Sequence, residues 1–380
     1  MMKLTDVVNR INGNVDRFTT DLEYYIGGEH FESRELEISN KGLIKPNLNI
    51  LGFKFHFAFQ ERDVIFMARN PHLRKAGMVF FSGLCSDASY ILRSKDEKIL
   101  TQEYLAVMLQ SDHFWDYCEA HKVGSVNFAI NWKTMANYEF DLPSLEKQNE
   151  ISKKVWAAYR LKKSYKKLIE ATDEMVKSQF IEMFWGGKYT MKKLRGHIEV
   201  LRGVSYKPSD VHEHLSDNTF IVLRSNNIDG GQVNYDDLVY VDSERVSELQ
   251  VLNARDIVMC GSNGSKKLVG KAALLNETPI ANTSFGAFCL GIRCKSSIIP
   301  EYLATYFQTS LYRDKIEALG SGSNILNIKP DHIYDLEIPI PSLGEQEAFV
   351  SIVKQADKSK FELRKSIEAI DAVIKSLING

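Results

Sequence analysis

Two loops carry the residue types best suited to recognition chemistry. Ala68-Arg69-Asn70-Pro71-His72-Leu73-Arg74-Lys75-Ala76-Gly77 aligns with Gly261-Ser262-Asn263-Gly264-Ser265-Lys266-Lys267-Leu268-Val269-Gly270. Arginine and lysine reach guanine edges or phosphates, and asparagine can pair bidentately with adenine. Arg69, Asn70, Arg74, Lys75, Ser262, Asn263, Lys266 and Lys267 are therefore candidates for contact with a double-stranded nucleic acid. A solvated basic hairpin is the competing account, but recurrence at the same place in two halves favours contact. A second loop pair is Gly124-Ser125-Val126-Asn127 and Gly320-Ser321-Gly322-Ser323-Asn324. Its glycines allow close approach to a phosphate, with Ser125, Asn127, Ser323 and Asn324 as donors, although a plain turn would look the same. A third candidate is Arg224, Asn226 and Asn227 in Arg224-Ser225-Asn226-Asn227, with Gly28-Glu29-His30 in the corresponding region.

The equipment of covalent chemistry is missing from the sequence. It contains no N-P-P-[YFW] tetrapeptide, no G-x-G-x-x-G after a strand and no G-x-x-x-x-G-K-[ST]. Amino-methylation, dinucleotide binding and ATP hydrolysis thus lack their usual motifs. His212 and His214 lie in a polar loop without metal-ligand companions, and Asp236-Asp237 reads as a turn. No catalytic residue and no metal site is expected.

An internal repeat positions the loops. Leu142-Pro143-Ser144-Leu145-Glu146-Lys147-Gln148 returns 198 residues later as Ile340-Pro341-Ser342-Leu343-Gly344-Glu345-Gln346. Glu103-Tyr104-Leu105-Ala106 matches Glu301-Tyr302-Leu303-Ala304 at the same offset, and Asp63-Val64-Ile65 matches Asp256-Ile257-Val258 five residues short of it. After each P-S-L comes a pattern with steps of three and four. In the first copy the stripe is Val155, Ala158, Lys162, Tyr165, Ile169, Thr172, Val176 and Gln179; in the second it is Val353, Ala356, Lys360, Leu363, Ile367, Ile370, Ile374 and Leu377. Such steps keep one face toward a partner helix, so two helices of about 35 residues, ~50 Å each, are expected to pair antiparallel as a coiled coil. Packing of each helix on its own domain is the alternative. Lys360 is expected to snorkel out of the seam. The run Lys153, Lys154, Arg160, Lys162, Lys163, Lys166 and Lys167 reads as a solvated face, or as a surface for docking partners or shielding phosphates.

The expected organisation is a globular segment at 1–141, a long helix within 142–187, a second globular segment at 188–339 and a second helix within 340–380. Pseudo-two-fold symmetry between the halves would follow from antiparallel pairing. Candidate strands are 64–68, 78–81, 220–223, 238–241, 256–260, 271–275 and 288–293, and one helix opens at Thr101-Gln102-Glu103 and another at Pro300-Glu301. Strands and helices do not alternate regularly, so the fold class is α+β.

Composition sets the remaining limits. The 380 residues are 44% hydrophobic with a formal net charge of −1, enough for real cores but not the strongly basic balance of a lone DNA-gripping domain. Partner subunits would then supply much of the phosphate attraction. Five scattered cysteines without a C-x-x-C pair read as reduced cytosolic thiols. No secretory signal and no membrane span is expected, which suggests a cytoplasmic protein.

Duplicated domains, each followed by P-S-L-x-x-Q and a long helix, resemble the specificity subunits of type I restriction–modification enzymes. The resemblance covers essentially the whole chain. It implies two target-recognition domains on double-stranded DNA, each reading one half of a split asymmetric sequence. It implies two modification (methyltransferase) subunits that use S-adenosylmethionine and, where present, two restriction (helicase–nuclease) subunits that use ATP and Mg2+. The chain itself would bind no cofactor and catalyse nothing. Three alternatives remain: a self-contained nuclease or methyltransferase, the specificity component of a related multi-subunit modification system, and a coiled-coil interaction protein without DNA function.

Overall fold

The computed structural model describes residues 1–275, 282–319 and 327–380. The chain divides into two compact units. Unit 1 is residues 1–167 with 363–380; unit 2 is residues 168–362. Each unit therefore takes a globular segment and half of each long helix.

Unit 1 holds two four-stranded sheets. One runs Val8–Ile11, Ser89–Ser94, Val64–Met67, Ala76–Met78, all antiparallel. The other runs Gly42–Leu43, Tyr24–Ile26, Gly83–Ser86, Phe55–Phe59, with the two central strands parallel. Unit 2 repeats the plan. Ile198–Arg202, Cys289–Cys294, Ile257–Cys260 and Ala272–Leu274 lead a six-stranded sheet that ends in Gln232–Val233 and Ile228–Asp229. A four-stranded sheet again contains one parallel pair, Thr219–Leu223 beside Thr283–Phe285. Mixed strands and helices, unalternated, give the expected α+β class.

All seven candidate strands exist, with one displaced. Where 78–81 was expected, the strand is Ala76–Met78, because Gly77 pairs with Ile65 and the ladder stops at Met78. Besides the four-residue helices Leu4–Val7 and Ile44–Asn47, the described residues of each half carry three short helices where one was expected. They are Gln102–Met108, Asp112–Ala120 and Trp132–Ala136, then Pro300–Tyr306, Ser310–Leu319 and Pro330–Tyr334. Ser111 and Asn131 cap two of them by accepting the N–H of Phe114 and Thr134, 3.2 and 2.8 Å.

The P-S-L-x-x-Q motif is a clasp. Gln148 is fully buried at the start of the first long helix, Leu145–Phe184. Its Oε1 accepts the Thr101 N–H at 3.0 Å, and its Nε2 donates to the carbonyls of Ile99 (2.8 Å) and Pro143 (2.9 Å). Gln346, buried at the start of the second, Leu343–Asn379, does the same with Ile299, Ser297 and Pro341 at 2.8, 3.2 and 3.0 Å. One amide thus ties helix start, preceding proline and globular segment together.

The two long helices run antiparallel. In unit 1, Val155, Trp156 and Tyr159 share a core with Ile374, Leu377 and Ile378. In unit 2, Val176 and Phe180 share one with Phe349, Val353 and Ala356, and the Phe180 and Phe349 rings meet edge-on at 5.4 Å. Tyr165, Ile169, Leu363, Ile367, Ile370 and Ala158 are partly buried. Two lysines replace apolar contacts in the stripe. Lys162 Nζ lies 2.7 Å from Asp371 of the second helix, and Lys360 Nζ lies 2.6 Å from Asp173 of the first. Lys360 does not snorkel: only 8% of it is exposed, because Asp173 and Asp357 satisfy the ammonium inside the seam.

Much of the lysine run docks the helix on its own unit. Lys163 pairs with Glu37 at 2.7 Å and Lys166 with Glu35 at 2.9 Å, while Lys162 also approaches Glu35 at 3.3 Å. Lys153, Lys154, Arg160 and Lys167 remain exposed.

Candidate nucleic-acid interface

In unit 1 the strand Val64–Met67 runs straight out into the first candidate loop. Asn70 and Arg74 take left-handed backbone conformations, φ 52° and 48°, that fold the segment 70–74 into a tight turn. The Asn70 N–H donates to the Phe128 carbonyl at 2.8 Å, and Arg69 pairs antiparallel with Ala129. Ala129 also closes a hairpin with Val123 through bonds of 2.7 and 2.9 Å. At the tip Gly124 has φ +110°, and a Cβ there would meet the Asn127 carbonyl at 2.6 Å, so only glycine fits. Sequence-distant loops thus become neighbours. Arg69, Ser125 and Asn127 are exposed along this edge, with Val126 between the last two 83% exposed.

Other candidates in this unit have intramolecular work. Arg74 is 20% exposed and holds Asp112 at 2.5 Å and Asp116 at 3.5 Å, which keeps the Asp112 carboxyl below the usual carboxylate range. Lys75 donates to the Gly28 carbonyl at 2.8 Å. These two side chains fasten the loop to its surroundings.

Unit 2 presents the same juxtaposition with different side chains. Ser262 pairs antiparallel with Asn327, and the Ile328 N–H donates to the Gly261 carbonyl at 2.8 Å. Lys266 and Lys267 are exposed. Ser323 and Asn324 lie outside the described residues. Asn263 reaches back, its Nδ2 donating to Ser225 Oγ at 2.9 Å. This brings the first loop to the third candidate segment.

That segment is a 3-10 turn, Ser225–Asn227, directly after the strand Thr219–Leu223. Asn227 is fully buried. Its Oδ1 accepts the Arg224 N–H at 2.9 Å and its Nδ2 donates to the carbonyls of Asn234 and Asp236, so it builds the turn and has no face left for a ligand. Asp237 holds both the Arg224 guanidinium (2.8 Å) and the Asn226 amide (2.9 Å). Arg224, Ser225 and Asn226 line a cleft of 840 Å³ together with Tyr206 and Phe288. In unit 1 the 3-10 turn Gly28–His30 has the same construction, with His30 Nδ1 accepting the Gly27 N–H at 2.9 Å.

Sequence reading passed over Tyr206 and Phe288 of this cleft, since an isolated aromatic has no periodic signature and Phe288 read as the start of a strand. Among the described residues no group of three or more His, Cys, Asp or Glu side chains could hold a metal ion, and no helix is long and apolar enough to cross a membrane. The five cysteines are free, and burial pushes the Cys85 and Cys289 thiols up to about 12.

Comparison with known proteins gives these loops a context. Residues 1–171 and 188–371 each match the family described as type I restriction modification DNA specificity domain. The type I restriction enzyme StySPI specificity subunit of Salmonella potsdam is 37% identical over 189 residues, 48% of this chain and 40% of that protein. The EcoKI specificity subunit of Escherichia coli K12 is 36% identical over the same length and shares. These matches therefore span about two fifths of either relative. The MjaVIII specificity subunit of Methanocaldococcus jannaschii is 21% identical over the full chain and 91% of its own length. In fold, the chain resembles the crystal structure of the type I restriction–modification S subunit from M. genitalium (TM-score 0.53, 12% identity, 99% of this chain and 94% of that one). It also resembles a chain from a structure of type I R-M complex assembly and conformational transition (TM-score 0.57, 16% identity, 99% and 95%). With both halves matched and the duplicated fold shared, the chain belongs to the type I restriction modification DNA specificity domain family.

Proposed function

We propose that this chain is the DNA-reading, non-catalytic subunit of a type I restriction–modification complex. The observation that carries the proposal is the repeated juxtaposition of two loops at one edge of each unit, Arg69 beside Ala129 and Ser262 beside Asn327. A rigid sheet holds hydrogen-bonding and cationic side chains where a duplex can meet them, twice in one chain. Arg69, Ser125 and Asn127 contact one half of a split target; Ser262, Asn263, Lys266, Lys267, Arg224 and Asn226 contact the other. Ser323 and Asn324 join the second set. Asn70, Arg74, Lys75 and Asn227 position these loops.

Catalysis belongs to the partners. Two modification subunits bring S-adenosylmethionine, and two restriction subunits, where present, bring ATP and Mg2+. With a net charge of −1 the chain has little general attraction for phosphate, so its base-reading loops act on DNA already held by the partners.

Titration of labelled duplex tests this division. The lone chain should bind weakly and with strong salt dependence, and binding should tighten greatly when the modification subunit is added. Tight binding by the lone chain at physiological salt would contradict it.

A further inference from the structure

The cleft in unit 2 contains a side chain that the base-reading loops do not need. Phe288 is 73% exposed, and leaving so large an apolar side chain in water forfeits the stabilisation its burial would give. Yet its backbone is held firmly. The Phe288 carbonyl accepts the N–H groups of both Gly261 (2.8 Å) and Ser262 (3.0 Å). The ring is therefore rooted at the base of the loop that displays Lys266 and Lys267. Tyr206, partly buried, lines the same cleft, and among the described lining residues Arg224 is the one that is charged. Asp237 braces Arg224 and Asn226 at the cleft, so their donors are held in place before any ligand arrives.

An aromatic plane, a braced amide and guanidinium, and two exposed ammonium groups form a set that fits a base step with its flanking phosphates. The ring meets π-faces or wedges between bases, the amide and guanidinium meet edges, and the ammonium groups meet phosphates. Unit 1 has no counterpart: Ala88 occupies the equivalent place, its carbonyl accepting the Ala68 N–H at 2.9 Å as that of Phe288 accepts Gly261.

We propose that Phe288, with Tyr206 beside it, is an apolar wedge that packs into a base step of the half-site read by unit 2. That unit would then read the ease of unstacking its target as well as its base edges. The inference rests on the DNA-reading function proposed above.

The test uses the full chain assembled with its modification subunit, and duplexes with 2-aminopurine at successive positions of the target. Fluorescence should rise at one step in the unit 2 half-site when the complex binds. Phe288→Ala should abolish that rise and weaken binding to the target by roughly ten- to a hundredfold, without changing the dependence of affinity on salt; Phe288→Trp should restore both. Because Phe288 is exposed, its removal leaves the core intact, and thermal unfolding checks this. Unchanged affinity and fluorescence in Phe288→Ala, beside target binding that still needs Lys266 and Lys267, would overturn the wedge and leave the DNA-reading function standing. Failure of the unaltered complex to prefer any DNA sequence would overturn both.

Discussion

Side chains that look alike in the sequence divide sharply in their work. Lys266 and Lys267 are exposed, whereas Lys75 and Arg74 are engaged with Gly28 and Asp112. Replacing Lys266 and Lys267 together with alanine should weaken the assembled complex. A uniform loss across sequences means phosphate contact, whereas tolerance of a mismatch otherwise costing ~1–3 kcal/mol means that one of them reads a base. Unchanged affinity and preference, measured by competition with variant duplexes, would remove this loop from the interface. Gln148 and Gln346 belong to the opposite class. Gln346→Leu strands backbone groups of Ile299, Ser297 and Pro341 and should cost about 1–3 kcal/mol, lowering the melting temperature of unit 2 by several degrees in calorimetry. The recurrence of these residues was legible in the sequence, but not their partners. Nothing in the spelling of Arg224-Ser225-Asn226-Asn227 says that Asn227 is buried and Asn226 is not, because that depends on backbone carbonyls supplied by Asn234 and Asp236.

At the scale of elements, the long helices were the most legible feature, since steps of three and four fall on one face only when the backbone turns every 3.6 residues. The ion pairs inside the stripe were hidden, for a lysine in a seam reads as a blemish until its aspartate is seen. Lys162 with Asp371 and Lys360 with Asp173 are reciprocal, each lysine and each aspartate having its equivalent 198 residues away. Burial alone would lower the Lys360 pKa, but the Asp173 and Asp357 carboxylates more than offset it and raise it. Its contribution is then complete below the ordinary lysine value and is lost as pH rises through the raised one. Lys360→Met keeps the apolar stem and should change stability by less than about 1.5 kcal/mol at neutral pH, while Asp173→Leu, which leaves the buried ammonium with Asp357 as its remaining carboxylate, should cost more; denaturant titration decides. The Glu35 clasp has the opposite sign. Burial opposes its ionisation, but Lys166 and Lys162 outweigh that and lower its pKa. Stability from Glu35 is present above the ordinary carboxyl value and is lost as pH falls through the lowered one. Protection against hydrogen exchange in the segment 35–39, taken relative to the intrinsic rate at each pH, should fall on acidification before protection in the strand Val64–Met67 does.

At the scale of the molecule, duplication and α+β class were readable because a 198-residue offset preserves spacing across some fifty residues. The segment 12–60 was not. Its strands are two to five residues long, and Tyr24–Ile26 is defined by parallel pairing with Gly83–Ser86, a partner some sixty residues away that no local pattern announces. Duplication also predicts how a fragment behaves. Residues 188–380 retain the second recognition segment and the more apolar seam, and a second copy can supply the missing seam in the same register. The fragment should dimerise in light scattering and, with the modification subunit, direct methylation to an interrupted palindrome built from one half-site; a strict monomer would count against the seam. The central claim, one unit for each half of a split target, is tested most directly by sequencing methylated sites in DNA modified by the full chain with its modification subunit. The account predicts a two-part asymmetric motif with an unread spacer, in which alanine at Lys266 and Lys267 relaxes one half at most. A single uninterrupted motif, or relaxation of both halves at once, would contradict it.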